Sequence, residues 1–368
     1  PMVGRHAMEL KGKRILLFSP EPWHGLHMSK HHLSQELAAR GNSVYFLDPP
    51  RPGNRGFSME AQGDVTVVRY RHWLRGVNRL PLSLNRWYYK RLVRKIAQRT
   101  GGPFDIIWCF DTSRMQSFPE GIGHKLLHLA DYDILYIGKG LIPTADIIFT
   151  TSKVVADEVA GRTKARTVYI GHALDGRWLK GIDDLVDRVP GPPRSVVFAG
   201  QLAISYNDWE GFLRIAGSHP ELAFTFIGPF DPEFPEPALH DLLRLPNVTF
   251  TGLMTKDQLI PHVRAADILL FGFRSGTRAK ERANPHKVLE YLSTGNVIVG
   301  SYTMDYAGRS DLMSMAPEGG DLSVTFQQAL LEHHVLNGPQ YRSARIAFAR
   351  ERSMEGLIER IESELSIG

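Results

Sequence analysis

The chain is 368 residues long, with 43% hydrophobic and 23% charged residues, 34 glycines and 23 prolines, a balance that excludes a disordered, collagen-like or disulfide-stapled protein. At roughly 100–200 residues per domain the length predicts two domains, and a cleft between two cores is the default place for a ligand. The single cysteine, Cys109, excludes an internal disulfide and a cysteine-built zinc or iron–sulfur site, and predicts a reducing, cytoplasmic setting. No apolar run approaches the ~20 residues of a membrane-spanning helix. The opening PMVGRHAMEL lacks the apolar stretch of a signal peptide and reads as a loose end. Formal net charge is +5, but residues 65–104 hold ten Lys and Arg and no Asp or Glu, so that segment carries +10 and the rest 5 − 10 = −5. The basicity is therefore a local patch.

Short apolar, β-rich runs alternate with longer helical stretches, the pattern of parallel βαβ units, and the series occurs twice. The first predicts strands at 14–18, 44–48, 65–70, 106–110, 126–129, 147–150 and 168–170. The second predicts them at 196–199, 224–227, 248–251, 268–271 and 297–300. Between the two, VPGPPRS at 189–195 can neither continue a helix nor pair inside a sheet. The fold class is α/β, two Rossmann-like doubly wound domains. The expected boundaries are 1–188 for an N-terminal domain, 189–345 for a C-terminal domain and 346–368 for a closing helix.

Such sheets bind ligands at the carboxyl ends of their strands. After the first strand the loop SPEPWHGLHMSKHHLSQELAARG contains no G-x-G-x-x-G, so nothing supports a dinucleotide, and the chain has neither a P-loop nor a G-x-S-x-G elbow. His24, His27 and His31 stand at i, i+3 and i+7. That spacing leaves open a zinc site, substrate-binding residues at the strand end (Trp23, His24, His27) or plain solvated and core histidines. Residues 82–99 form an amphipathic pattern, with Tyr88, Tyr89, Leu92, Val93 and Ile96 on one face and Arg86, Lys90, Arg91, Arg94 and Lys95 on the other. Trp87 falls on the charged side. The face is either solvated or touches an anionic membrane through Arg86, Trp87, Lys90 and Arg94.

The stretch 268–300 reads as a buried strand, an Arg-rich loop, Pro285 in the first turn of a helix, Gly295 as its stop, and the next buried strand VIVG. Open backbone N–H groups near Asn284, Pro285 and His286, with Lys287 beside them, suit an anionic diphosphate. Glu290, three residues on, shares a face with Lys287 and suits a ribose diol, or else forms a surface ion pair with it.

ANPHKVLEYLSTGNVIVG, residues 283–300, resembles the donor-binding signature of GT-B glycosyltransferases, in particular the retaining family four and bacterial polysaccharide and teichuronic-acid-type enzymes. Further along the chain ADIIFTTSKVVADEV, VYIGHALDGRWL, VVFAGQLAISYNDWEGFLRIAGSHPELAFTFIGPF, LPNVTFTGLMTKDQLIPHVRAADILLF and FARERSMEGLIERIESEL resemble, in order, successive elements of that family. The resemblance implies that Lys287 binds phosphate and Glu290 the ribose. It also implies that Gly200 lets phosphate approach the backbone, that Gly228 lines the nucleotide pocket, and that Arg274 is a further diphosphate ligand. Two departures stand out. Arg282 occupies the position eight before Glu290 where an E-x7-E pattern has glutamate, and HLADYD places Ala130 or Asp131 where a histidine is usual. Asp131 is then the candidate carboxylate for catalysis, and Asp131 with Asp133 spell a D-x-D string that another glycosyltransferase fold uses for metal.

The implied function is transfer of a sugar from a nucleotide diphosphate sugar, a UDP-sugar, to a hydroxyl of a glycan or lipid-linked acceptor in surface polysaccharide synthesis. No cofactor or metal is required and no nucleic acid is a partner. The alternatives are a non-catalytic sugar-nucleotide or glycan-binding subunit and a GT-B-fold 2-epimerase.

Overall fold

The computed structural model describes residues 9–25, 27–50, 56–71, 76–130, 132, 140–188, 191–276 and 279–366. Contacts divide the chain into two compact units, Pro1–Ala173 with Met354–Gly368, and Leu174–Ser353.

The first unit is built on an eight-stranded sheet in the order β3-β4-β2-β1-β5-β6-β7-β8. Its strands are β1 Arg14–Phe18, β2 Ser43–Leu47, β3 Ser58–Gln62, β4 Val65–Arg69, β5 Ile106–Cys109, β6 His124–Leu129, β7 Ile147–Thr150 and β8 Arg166–Tyr169. Every neighbouring pair is parallel except β3 with β4, which run antiparallel. The central parallel strands coincide with the apolar runs of the sequence because a strand covered on both faces must be apolar, whereas the parallel edge strand β8, RTVY, is half-buried at every residue. β3 has no such signature. It is an edge hairpin strand, SMEAQ, exposed or half-buried at every residue, so its pairing rests on backbone bonds to β4.

Helices α1 (Ser29–Ala39), α2 (Leu82–Arg99) and α3 (Lys153–Ala160) cover this sheet. α2 buries Tyr88, Tyr89, Leu92, Val93 and Ile96, as its 3.6-residue period requires. Asn85 is buried with them because its side-chain amide donates to the carbonyls of Val77 (2.9 Å) and Arg114 (3.2 Å).

The second unit holds six parallel strands in the order β11-β10-β9-β12-β13-β14. They are β9 Ser195–Ala199, β10 Ala223–Ile227, β11 Val248–Gly252, β12 Ile268–Phe271, β13 Val297–Gly300 and the two-residue edge strand β14 Ser314–Met315. Between them run α4 (Trp209–Ser218), α5 (Pro237–Leu242), α6 (Lys256–Ala265), α7 (His286–Leu292), α8 (Leu322–Leu331), α9 (His333–Leu336) and α10 (Pro339–Arg350). Side chains fix the helix starts. Asp208 accepts from the Gly211 N–H at 3.0 Å at the head of α4, and Thr255 forms a capping box with Gln258 at the head of α6. Pro285 lies one residue outside α7, as its N-cap, rather than in its first turn. Arg345, buried on α10, donates to the carbonyls of Gly295 (3.0 Å) and Leu312 (2.9 Å), and so closes the polypeptide behind α7.

The last helix, α11 (Met354–Ser366), belongs to the first unit. It buries Leu357, Ile358, Ile361 and Leu365 among Leu33, Leu37, Ile15 and Leu17, residues of α1 and β1. Both sheets reverse direction of winding beside their first strand, between β1 and β5 in one unit and β9 and β12 in the other. These are the two switch points at which an open parallel sheet offers a crevice.

Candidate functional site

At the switch point of the second unit, β9 runs out at Ala199 into Gly200, with φ +156°, and β10 into Gly228, with φ +147°. These conformations and the spacing both demand glycine. A Cβ on Gly228 would lie 1.8 Å from the Gly200 carbonyl oxygen, and one on Gly200 would lie 2.5 Å from the Lys287 Nζ. The strand ends are tied in register, since the Gly200 N–H donates to the Ile227 carbonyl and the Gly228 N–H to the Gly252 carbonyl, each at 2.9 Å.

Lys287 is half-buried on the first turn of α7 and aims its ammonium at this glycine backbone, 4.0 Å from the centre of the Phe198 ring. Burial pushes its pKa down to about 8, with Glu290 pulling the other way. Glu290 itself is 9% exposed and pairs with Lys256, the first residue of α6, while the His286 Nδ1 stands 3.8 Å off. The alternative of a surface ion pair between Lys287 and Glu290 is not what forms, since the Glu290 carboxylate is taken by the half-buried Lys256. Arg274 is not open either. Its guanidinium pairs with the buried Glu236, and its backbone N–H donates to the Tyr206 carbonyl at 2.9 Å. Behind Lys287, the Tyr291 hydroxyl accepts from the Ala199 N–H at 2.7 Å and lies 3.3 and 3.4 Å from the carbonyls of Ala199 and Leu270. One buried phenol therefore pins α7 to the ends of both switch-point strands.

In the first unit, the switch point is filled by Arg114. It pairs with Asp111 and donates to the Ser19 carbonyl (2.5 Å), the Tyr70 hydroxyl (3.1 Å) and the Asp48 carbonyl (3.4 Å), collecting the ends of β1, β2, β4 and β5. Trp23 is core, 4% exposed, with its backbone N–H donating to Asp48 Oδ1 at 2.8 Å and its ring against Phe46 and His31. His24 is exposed and within 2.6 Å of Arg69 Nη2, while His27 stacks on His31 with 4.8 Å between ring centres. The helix begins only at Ser29, so the i, i+3, i+7 spacing is not helical across His24, His27 and His31. Both nitrogens of His31 are spent, Nδ1 accepting from the Met28 N–H (3.0 Å) and Nε2 donating to the Pro22 carbonyl (3.1 Å), which leaves none for a metal. Burial pushes its imidazole down to about 4. His128, one residue before the end of β6, stacks on Phe110 with ring centres 4.3 Å apart. Burial, with His172 and Lys30 adding repulsion, pushes it down to about 3.

No family model matches the chain, and no curated protein matches it in sequence. Solved structures do match. Sucrose-phosphate synthase from Thermosynechococcus elongatus aligns over 95% of this chain and 98% of its own with a TM-score of 0.67 and 14% identity. WaaG, a glycosyltransferase involved in lipopolysaccharide biosynthesis, aligns over 96% and 100% with a TM-score of 0.64 and 11% identity. Anabaena HepE, solved with UDP and glucose, aligns over 96% and 99% with a TM-score of 0.65 and 13% identity.

The chain has the GT-B glycosyltransferase fold.

On this GT-B frame the expected donor residues separate into two groups. Gly200, Gly228, Lys287 and Glu290 converge on the ends of β9, β10 and α7, whereas Arg274 is committed to Glu236. Asn284 and Pro285 form the approach to α7, and His286 is its first residue. Asp131 and Asp133 lie outside the described residues, and among the described residues no group of three His, Cys, Asp or Glu is placed to hold a metal. Of the basic helix, Arg86 turns to the Ser117 hydroxyl at 3.1 Å, Trp87 is 50% exposed, and Lys90 and Arg94 line a groove on the outer side of α2. No helix among the described residues is long and apolar enough to cross a membrane. Sequence reading passed over Lys256, Tyr291, Arg114 and His128. Lys256 and Glu290 are 34 residues apart, and Tyr291 and Ala199 are 92 apart, so no local period links them. The available signal was chemical: Tyr291 is a phenol inside an otherwise apolar helical stripe, and such a hydroxyl needs a partner.

Proposed function

We propose that this protein transfers a sugar from a UDP-sugar to a hydroxyl of a glycan or lipid-linked acceptor in surface polysaccharide synthesis, on the cytoplasmic face of a membrane. The observation that carries the reading is the Lys287 ammonium held over the Gly200 backbone at the β9/β12 switch point, with no described carboxylate or carbonyl in hydrogen-bond reach. A desolvated cation against Cβ-free backbone is a place for an anion, and a diphosphate is the anion a nucleotide sugar brings.

In this reading the Lys287 ammonium stabilises the charge that develops on the departing diphosphate, the main electrostatic demand of glycosyl transfer, and Gly200, without a Cβ, lets that diphosphate come close to the strand end. Glu290, oriented by Lys256, receives the ribose hydroxyls. Arg274 can add its fork only by leaving Glu236. Lysine charge takes the part that a cation has in D-x-D sites, so the reaction needs no metal. Stereochemistry is retaining if the family four likeness extends to mechanism, and inverting if Asp131 serves as base.

Thermal unfolding with UDP, GDP, ADP and dTDP tests the donor. A selective rise in midpoint with UDP supports it, since binding to the folded state alone stabilises by mass action. Release of UDP from a UDP-sugar only when acceptor is present then separates a transferase from a binding subunit. No stabilisation by any nucleotide would overturn the proposal.

A further inference from the structure

The outer side of α2 carries two features that sugar transfer leaves unused. Its first half exposes Leu82 (47%), Leu84 (50%) and Trp87 (50%). Its second half, with Gly56 and Phe57 before β3 and Tyr70 and Arg71 after β4, walls a groove of about 1450 Å³. Arg71, Lys90, Arg91, Arg94, Lys95 and Arg99 line this groove, and none of the described lining residues is a carboxylate. None of the six is ion-paired among the described residues, and residues 65–104 contain no acid that could reach them from the same segment. Two of the guanidiniums are laid on aromatic faces, Arg99 over Phe57 at 4.5 Å and Arg91 over Trp87 at 5.8 Å, which restricts them to the groove wall.

Six unpaired cations on one wall repel one another, and the repulsion is relieved only by an anion of matching spread. A polynucleotide and an anionic lipid surface both offer one. The apolar residues decide between them. A nucleic-acid strand is gripped by aromatic platforms and phosphate contacts, to which an exposed leucine contributes neither a ring face nor a hydrogen bond. A bilayer rewards leucine directly, because the side chain leaves water for the acyl boundary while Lys and Arg stay with the phosphates.

We propose that the groove beside α2 seats the phosphate headgroups of an anionic membrane, with Leu82, Leu84 and Trp87 entering the interface next to them. Arg86, turned to Ser117, takes no part. The site is independent of the donor chemistry and adds to it a fixed orientation of the first unit on the surface where a lipid-linked acceptor resides.

The test is sedimentation of the full chain with phosphatidylcholine vesicles, with and without phosphatidylglycerol. Binding should require phosphatidylglycerol and fall with added salt. The double variant Arg91→Gln/Lys95→Gln should bind about 25-fold more weakly, fivefold for each ~1 kcal/mol charge contact. Leu84→Ser/Trp87→Ser should lose at least about tenfold, as expected for withdrawing a buried leucine-sized surface. Arg244→Gln, an exposed arginine of the second unit, should bind as wild type. All these side chains are solvent-facing, and unchanged thermal unfolding confirms that the variants are folded. Equal sedimentation of Arg91→Gln/Lys95→Gln and wild type would overturn the proposal, as would equal binding to neutral vesicles. Single-stranded RNA binding more tightly than vesicles and insensitive to Leu82→Ser/Leu84→Ser would reassign the groove to nucleic acid. UDP binding is scored separately, so failure of the donor reading leaves this one standing.

Discussion

The Tyr291 hydroxyl accepts a hydrogen bond from the Ala199 N–H at 2.7 Å, and through it the helix that carries Lys287 and Glu290 is held to the strand that ends in Gly200. Both residues are buried, Tyr291 to 1% and Ala199 to 7% exposure. Tyr291→Phe removes the acceptor and leaves a buried N–H unsatisfied, at an expected cost of ~1–3 kcal/mol in urea unfolding. Because α7 is then less firmly placed, UDP affinity should fall as well, while Tyr88→Phe in the other unit should leave UDP affinity alone. Stability equal to wild type would show that the bond contributes nothing.

Glu290→Gln should weaken UDP binding by ~1.5–3 kcal/mol, the range for a hydrogen bond to a charged group, measured by titration calorimetry. Lys256 acts through Glu290, so it is a positioning residue. Lys256→Met should cost less than Glu290→Gln, and the double variant no more than Glu290→Gln alone. Additive losses would mean that Lys256 touches the ligand itself.

Lys287 predicts a proton signature. Its pKa is lowered by burial from 10.5 to about 8 in the free protein, and a bound diphosphate must raise it. UDP binding near pH 9 should therefore take up close to one proton, whereas binding at pH 6.5, where the ammonium is already charged, should take up none. Calorimetry in buffers of different ionisation enthalpy measures the uptake, and Lys287→Arg should abolish it. The sign for stability is opposite to that of a salt-bridged lysine. Between pH 8 and 10.5 the unfolded chain holds the proton that the folded chain has lost, so this residue makes the free protein more stable as pH rises through that window.

His31 and His128 predict acid sensitivity. Burial lowers them from 6.5 to about 4 and about 3, so below pH 6.5 the unfolded chain binds protons that the folded chain excludes, and stability falls as pH drops. The contribution of each histidine is complete above pH 6.5 and fades toward pH 4 for His31 and pH 3 for His128. A loss on the order of 2 kcal/mol or more between pH 7 and pH 5 is expected in urea unfolding. A flat profile would mean that the two rings are solvated or paired as cations.

Turnover should survive EDTA and gain nothing from added Mn²⁺, because lysine and backbone charge serve the diphosphate. Loss on chelation with rescue by Mn²⁺ would move the leaving-group role to Asp131 and Asp133.

Composition and period alone determined the two series of parallel strands, the apolar face of α2 and the stretch from Ile268 to Gly300, because a strand buried on both faces has to be apolar and a sheet-packed helix has to repeat every 3.6 residues. Ser58–Gln62 escaped that reading for the converse reason, since an exposed edge strand owes its place to backbone pairing with β4. Which polar residues meet was decided by tertiary structure. The Lys287 ammonium reaches a glycine 87 positions away, Lys256 captures Glu290, Glu236 captures Arg274, and two backbone groups take up the His31 ring. Side-chain chemistry gave each of these residues several possible partners, and the partner was chosen by distances that exist only once the strands have been ordered in their sheets.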